Sequence, residues 1–343
     1  MTPPTAIVVG GTFGGVYVDA LAGPGSPVRL IGVAGTGAGP ARDLAGRLGL
    51  PFHTDLDALP PVDIGVVVVR SAIVGGVGSG ICERLLDRGV HVLQEQPVHA
   101  EEMLRLAAIA HRHRVRYGVN DFYGSVAPVR HFVTAARRLA ARTPIRYVQA
   151  RTAVHVAFPL FTVLSEIVPR LHPARVVGSL GPAAPFTEVR LTLDEITVDV
   201  RIDNTLCARD PDNHLRLLHE ITVGTDAGEL ALAHTHGPTH WRPRDPRALP
   251  DSAVVRQVGP GHQPTAGEIV RDLWPAAVRH AVAEFAEAIR ERRNPLTHRF
   301  VRAARLWSEV TAAAGPPTVY PPPPPLVITA EELSPPCPSA SIR

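Results

Sequence analysis

AIVVGGTFGGVYVDAL, residues Ala6–Leu21, is the stretch that decides the fold. Ala6–Val9 is a short apolar strand, Gly10-Gly11-Thr12-Phe13-Gly14-Gly15 is a glycine-rich turn, and Val16–Leu21 has helical spacing. Strand, glycine turn and helix in this order open a βαβ unit of the dinucleotide-binding kind. The turn lets the backbone approach phosphates, and the helix N-terminus offers amide donors and a favourable dipole. Thr12 stands where the usual motif has its middle glycine, so the fingerprint is incomplete. Gly10, Gly11, Thr12, Phe13 and Gly14 are the candidate cofactor contacts of this turn.

Working outward, the second strand, Val28–Ala34, runs into Gly35–Gly39 with no acidic residue at its tip. An acid there would hold the ribose hydroxyl of NAD. Its absence, with Thr36 and with Arg42 on the next helix, favours the 2′-phosphate of NADP. A helix (Pro40–Leu48), a short strand near Phe52, an acidic turn (Asp55–Asp57) and a fully apolar strand (Ile64–Val69) follow. An all-apolar strand belongs in a sheet covered on both faces. Arg70 and Ser71, just past it, are placed at the carboxyl edge as cofactor contacts. After a helix ending at Asp87, His91–Gln94 and Tyr117–Asn120 read as the last two parallel strands, with helix Ala100–His113 between them. They end in Glu95-Gln96-Pro97 and Asn120-Asp121-Phe122-Tyr123. In a doubly wound sheet such strand ends open onto the ligand crevice, so Glu95 and Gln96 join the cofactor contacts.

Composition narrows the function classes. The chain has 343 residues, 45% hydrophobic and 20% charged, enough for two domains with real cores. Net charge is +3, and all 35 lysine-plus-arginine positions are arginine. The arginines are scattered without interleaved aromatics, which argues against nucleic acid. No apolar run is long enough to span a bilayer and the N-terminus does not read as a signal peptide. Cys82, Cys207 and Cys337 form no close pair, so a reducing, cytoplasmic setting is expected. The absence of lysine excludes Schiff-base chemistry and a lysine acid.

Beyond Tyr123, Val126–Ala141 reads as a long amphipathic helix, after which the period changes to two. Arg146–Arg151, Phe186–Leu193, Ile196–Asp203, Leu215–Thr222 and Gly228–His234 are expected strands of an antiparallel sheet, followed by helices Trp274–Arg290 and His298–Ala313. Val154–Leu160 reads as a loop bordering the cleft. The fold class is therefore α/β: an N-terminal Rossmann doubly wound parallel sheet plus a C-terminal α+β domain with a mostly antiparallel sheet. Expected boundaries are 1–123, 124–314 and a proline-dense, extended or disordered tail at 315–343 that holds Cys337. His214, His219, His234, His236 and His240 lack the paired spacing of a zinc site, and no metal is expected.

The run Val66–Pro97, VVVVRSAIVGGVGSGICERLLDRGVHVLQEQP, with VVGGTFGG before it and NDFYGSVAPVRHF after it, resembles the thiazolinyl imine reductases of siderophore biosynthesis. These lie within the glucose-fructose oxidoreductase and inositol dehydrogenase superfamily. The similarity continues through Asp210-Pro211-Asp212-Asn213-His214 and Thr235-His236-Gly237-Pro238. It implies NADPH-dependent reduction of a thiazoline held as a thioester on a carrier-protein domain of a nonribosomal peptide synthetase. It also implies a homodimer made through the outer sheet face. The superfamily carries a lysine, and the imine reductases a histidine, in the slot that Gln96 fills here. Pro159–His172 also departs from the Asp/His pattern of the sugar dehydrogenases, which disfavours sugar oxidation.

Reducing a cyclic C=N bond needs a hydride at carbon and a proton at nitrogen. Glutamine cannot release a proton at neutral pH, whereas a tyrosine, pKa about 10, can. Tyr123 is thus the expected acid, Gln96 an orienting group and His99 a second donor. Asp121, His155, Phe158, His236 and Trp241 are expected to border the substrate. Two other readings stay open: a superfamily dehydrogenase acting on a free sugar or cyclitol, and a catalytically impaired dinucleotide-binding scaffold.

Overall fold

The computed structural model describes residues 2–37, 39–69, 77–183, 185–209, 217–245, 247, 251, 253–321, 324 and 326–333. Arg70, Ser71, His214 and Cys337 lie outside the described residues.

The first sheet has six strands in the order β3-β2-β1-β4-β5-β6, all parallel. They are β1 (Thr5–Val9), β2 (Arg29–Ala34), β3 (Phe52–His53), β4 (Ile64–Val67), β5 (His91–Glu95) and β6 (Tyr117–Asn120). Helices α1 (Gly14–Ala22), α2 (Pro40–Arg47), α3 (Val77–Asp87) and α4 (Ala100–Arg112) connect them. Every residue of β4 is buried, which is why no polar alternation survives in its sequence. Gly10 carries the chain from β1 into the turn at φ +116°, where an added Cβ would stand 2.3 Å from the carbonyl oxygen of Val68. At Gly11 a Cβ would meet the backbone nitrogen of Ala41 at 2.3 Å, so this glycine lets the start of α2 pack onto the turn.

Crossing to the second half, α5 (Ala127–Ala140) leads into β7 (Ile145–Ala153) and then α6 (Ala157–Ile167). The expected loop at Val154–Leu160 is instead a 3₁₀ turn (Val154–Val156) running into that helix. Nearly all of α6 is buried, so its sequence lacks the one-sided pattern that marks a surface helix. The strands β8 (Ala174–Ala183), β9 (Phe186–Leu193), β10 (Ile196–Asp203), β11 (Thr205–Cys207), β12 (His219–Thr225), β13 (Gly228–Leu232), β14 (Thr239–Pro243) and β15 (Arg256–Val258) follow. All but β11 join β7 in an eight-stranded sheet of order β15-β14-β13-β12-β7-β10-β9-β8. Its pairs are antiparallel except β10 with β7, which is parallel, so the sheet is mostly antiparallel as expected.

The chain closes with α7 (Ala266–Glu268), a π-turn (Ile269–Leu273), α8 (Trp274–Arg290), α9 (His298–Ala314), β16 (Thr318–Tyr320) and α10 (Ala330–Leu333). Helix α8 returns to pack on α1, and α9 packs on α4, α6 and β8. These helices bind the two sheets into one body. Arg299 ties the seam, donating from its guanidinium to the carbonyls of Ser165, Val168 and Pro169 at the end of α6. In the tail, β16 pairs with β11, so Thr318–Tyr320 forms a paired strand within the stretch expected to be extended or disordered. No described helix is long and apolar enough to cross a membrane.

Gly10 has both a disallowed φ for other residues and no room for a side chain. Gly10→Ala is expected to lower unfolding stability by about 2 kcal/mol or more in urea titration.

Candidate functional site

The site is built where the six-stranded sheet ends. At the carboxyl ends of β5 and β6, Glu95 and Asn120 stand side by side in register, and α1 brings Tyr17 over them. The Tyr17 hydroxyl donates to Glu95 Oε2; Asn120 Nδ2 donates to the Tyr17 oxygen at 2.5 Å and to Glu95 Oε2 at 3.3 Å. Burial first, and the Asp121 charge beside it, push the Glu95 carboxyl well above its ordinary range, while the hydrogen bonds from Tyr17 and Asn120 pull the other way. Glu95 Oε1 and Gln96 Oε1 are enclosed with no hydrogen-bond partner among the described residues.

One residue further, the backbone is strained. Phe122 sits at φ 47°, ψ −63°, and Tyr123 N–H donates to the Asp121 carbonyl only two residues back, at 2.5 Å. This is the rare three-residue turn with positive φ, which costs a bulky residue of order 1–3 kcal/mol. What holds it is burial. Phe122 is fully enclosed, edge-on to Phe13 of the glycine turn (4.9 Å), Trp274 of α8 (5.8 Å) and Tyr123 (5.1 Å). Asp121 points the other way, taking a hydrogen bond from the Thr162 hydroxyl on α6. Enclosure raises the pKa of Asp121, and its contacts tie the end of β6 to the second domain.

Tyr123 is thereby swung toward the second sheet, its ring edge-on to His219 at 5.4 Å. The phenol is held well above its ordinary pKa by burial first and by Glu95 second, so it stays protonated across the physiological range. His219 Nε2 donates to the Val156 carbonyl at 2.7 Å, which leaves Nδ1 to accept from the Thr235 hydroxyl at 3.0 Å. Both ring nitrogens are thus engaged, and His219 braces Tyr123 without a proton to offer. Across the cleft, Trp274 Nε1 donates to His236 Nε2 at 3.0 Å, fixing the proton of His236 on Nδ1. Burial, the largest cause, pushes both histidines down to about 4.

The expected residues divide by place. Glu95 and Gln96 lie at the end of β5, Tyr123 beyond β6 against His219, and His236 is bonded to Trp274 of α8, whereas Asp121 is turned to α6 and His155 lies in the 3₁₀ turn Val154–Val156. His99 faces α9, with Nδ1 2.9 Å from the Ser308 hydroxyl and its ring 4.9 Å from Trp307. Phe158 is fully buried between Phe300 and Trp307. Trp241 lies in the middle of β14, opposite Leu230, with its ring beside Gly228. Arg42 is exposed in the first turn of α2, its Nε donating to the Gly37 carbonyl at 2.5 Å and its guanidinium 4.7 Å over Phe52. Tyr17, Phe122, His219 and Trp274 were missed as site residues, because each sits inside an apolar run or an element whose partner is distant in sequence. Among the described residues no group of three or more candidate ligands could hold a metal.

A dinucleotide fits this arrangement. No side chain caps α1 and no acid lies in its first turn, leaving that N-terminus suited to a phosphate. The enclosed oxygens of Glu95 and Gln96 lack partners at the sheet edge, where a cofactor's ring and its amide belong.

Comparison with known proteins agrees with this geometry. Residues 5–121 match the family described as an oxidoreductase family with an NAD-binding Rossmann fold, and residues 170–242 match the C-terminal domain of Irp3-like thiazolinyl imine reductases. No curated protein sequence matches the chain. Among solved structures, UDP-N-acetylglucosamine 3-dehydrogenase GnnA from Acidithiobacillus ferrooxidans superposes with TM-score 0.66 at 16% identity, covering 91% of this chain and 98% of its own. Levoglucosan dehydrogenase in complex with NADH and L-sorbose gives TM-score 0.69 at 13% identity, over 92% of this chain and 97% of its own. GenD2 from gentamicin A biosynthesis, in complex with NAD, gives 0.63 at 17%, over 92% and 95%. At such identities the likeness is one of fold.

His219 and His236 have folded values near 4, below the ordinary 6.5, so the unfolded chain takes up protons first as pH falls. Their contribution is complete above pH 6.5 and is lost between 6.5 and 4, of order 3 kcal/mol each. Melting temperature is therefore expected to fall steeply across that window, and less steeply in His219→Gln.

Proposed function

We propose that this oxidoreductase, whose first domain is an NAD-binding Rossmann unit and whose second is Irp3-like, reduces a thiazoline to a thiazolidine using NADPH. The substrate is a cyclic imine tethered as a thioester to a carrier-protein domain of a nonribosomal peptide synthetase, in siderophore-type biosynthesis. The observation that carries this reading is the placement of Tyr123. A protonated phenol, fixed by a strained and enclosed turn, stands at the ends of β5 and β6, where the reacting ring of a dinucleotide belongs.

The cofactor supplies hydride. Tyr123 supplies the proton that the imine nitrogen needs as its electron pair develops, and its raised pKa keeps that proton in place until it is called for. Gln96 keeps a free amide oxygen at the edge of β5, an acceptor that orients an amide donor but delivers no proton. His219 and His236, both neutral, shape the far wall, and His236 presents an imidazole rather than a cation.

Arg42 supports NADPH: stacked on Phe52, it makes no hydrogen bond with its terminal nitrogens among the described residues, leaving two donors for a 2′-phosphate. The outer face of the eight-stranded sheet carries the pairs Arg151–Glu220, Arg201–Glu188 and Arg190–Asp199. We assign that face to a homodimer.

Tyr123→Phe is expected to lower kcat on a synthetic thiazoline thioester by about 10²-fold or more, with NADPH affinity unchanged in a fluorescence titration. An equally active variant would remove Tyr123 from the chemistry. Arg42→Ala is expected to raise the Kd for NADPH by about 10-fold or more and leave that for NADH nearly unchanged, measured by the same titration. Equal losses for both cofactors would overturn the NADPH assignment.

A further inference from the structure

Every donor that reaches Glu95 reaches the same oxygen. Tyr17 and Asn120 both donate to Oε2, while Oε1 is enclosed and receives nothing among the described residues. A carboxylate with one oxygen bare inside a protein keeps charge that neither water nor a donor offsets. A neutral acid keeps the same contacts at a smaller cost, because an enclosed hydroxyl is less unfavourable than an enclosed charge: Oε2 is the carbonyl oxygen that accepts, and Oε1 carries the proton.

Among the described residues no positive charge argues otherwise. Facing Glu95 are Tyr17 from α1, Asn120 and Asp121 from the end of β6, and Tyr123 from the turn beyond it. Among the described residues no arginine or histidine acts on it, and the adjacent position is the uncharged Gln96. Asp121 and Tyr123 could add only negative charge.

We propose that Glu95 is a neutral carboxylic acid in the resting protein and a carboxylate when the oxidised cofactor is bound, so that the site releases one proton as the cofactor ring becomes cationic. This rests on the reading of the chain as an NADPH-dependent imine reductase. A reduced nicotinamide is uncharged and an oxidised one carries a single positive charge. A cation beside a buried carboxyl reverses the balance that kept it protonated. The stoichiometry closes on this basis. A C–H bond of the reduced ring and the O–H bond of Glu95 break; a C–H bond and an N–H bond form on the imine. Two electrons leave the cofactor with the hydride and reduce the C=N bond. The proton of Glu95 ends on nitrogen, with Tyr123 as the group that hands it over and takes it back. The positive ring and the negative carboxylate cancel, so total charge is the same before and after. Solvent returns a proton to Glu95 when the oxidised cofactor departs.

The test is calorimetric binding of NADP and of NADPH to the whole protein at pH 7.5, in buffers of different ionisation enthalpy, which counts protons exchanged. The 2′-phosphate is common to both ligands and cancels in the comparison. NADP is expected to release about one proton more than NADPH, with the excess abolished in Glu95→Gln. In the wild type alone, NADP affinity is expected to rise up to about tenfold per pH unit while NADPH affinity does not, which keeps the test open should the variant fail to fold. Infrared spectra of the ligand-free protein are expected to show a protonated carboxyl band that Glu95→Gln lacks. Equal proton counts for the two redox forms, or no such band, would overturn the proposal. No imine enters these measurements, so a failure to reduce thiazolines would overturn the function and leave this result standing.

Discussion

Burying a carboxyl on which no positive charge acts among the described residues constrains everything around Glu95. The group can be tolerated only if its oxygens are hydrogen-bonded or its charge is removed, and the local structure supplies both remedies in part. Tyr17 and Asn120 meet one oxygen, which fixes α1 against the ends of β5 and β6. With that helix fixed, Phe13 in the preceding turn reaches Phe122, and the aromatic contacts among Phe13, Phe122 and Trp274 draw α8 onto the same corner. One unpaired carboxyl therefore stands at the root of a cluster drawn from three distant parts of the chain.

The same corner explains how a short segment can do two jobs. Between Asn120 and Tyr123 successive side chains point to different bodies: Asn120 into the polar cluster, Asp121 to α6, Phe122 into the aromatic packing and Tyr123 to the second sheet. A strained turn is what allows so sharp a change of direction. Strain of this kind persists only where the surroundings over-determine it, and enclosure of Phe122 on every side meets that condition. The segment is at once the hinge of the domain seam and the mount of the phenol.

Electrostatically the cleft is a place of neutral groups. Its carboxyls are pushed up, its histidines pushed down and its phenol pushed up, in each case with burial as the largest cause. A chain without lysine has no flexible cation to place in such a cavity. Many of its arginines instead sit in exposed pairs with acids, such as Arg190 with Asp199 and Arg47 with Asp19. A cleft with little fixed charge suits a reaction that creates and discharges opposite charges within itself.

Much of this was legible in the amino-acid order alone. The strand, turn and helix of Ala6–Leu21, the apolar run of Ile64–Val69 and the paired strand ends near Glu95 and Asn120 follow from local periodicity and turn chemistry, and the six-stranded sheet realises them. Those signals are short-range, so they survive in one dimension. The helix at Ala157–Ile167 was not legible, because a helix buried on all sides shows no polar face. The parallel pairing of β10 with β7, and the strand at Thr318–Tyr320, depend on partners tens to more than a hundred residues away. So does the site: the sequence placed Glu95, Gln96 and Tyr123 at strand ends, but which way each side chain turns was decided by tertiary packing. Tyr17, His219 and Trp274 enter the cleft only because α1, β12 and α8 converge there, and convergence is a property of the folded whole rather than of any segment.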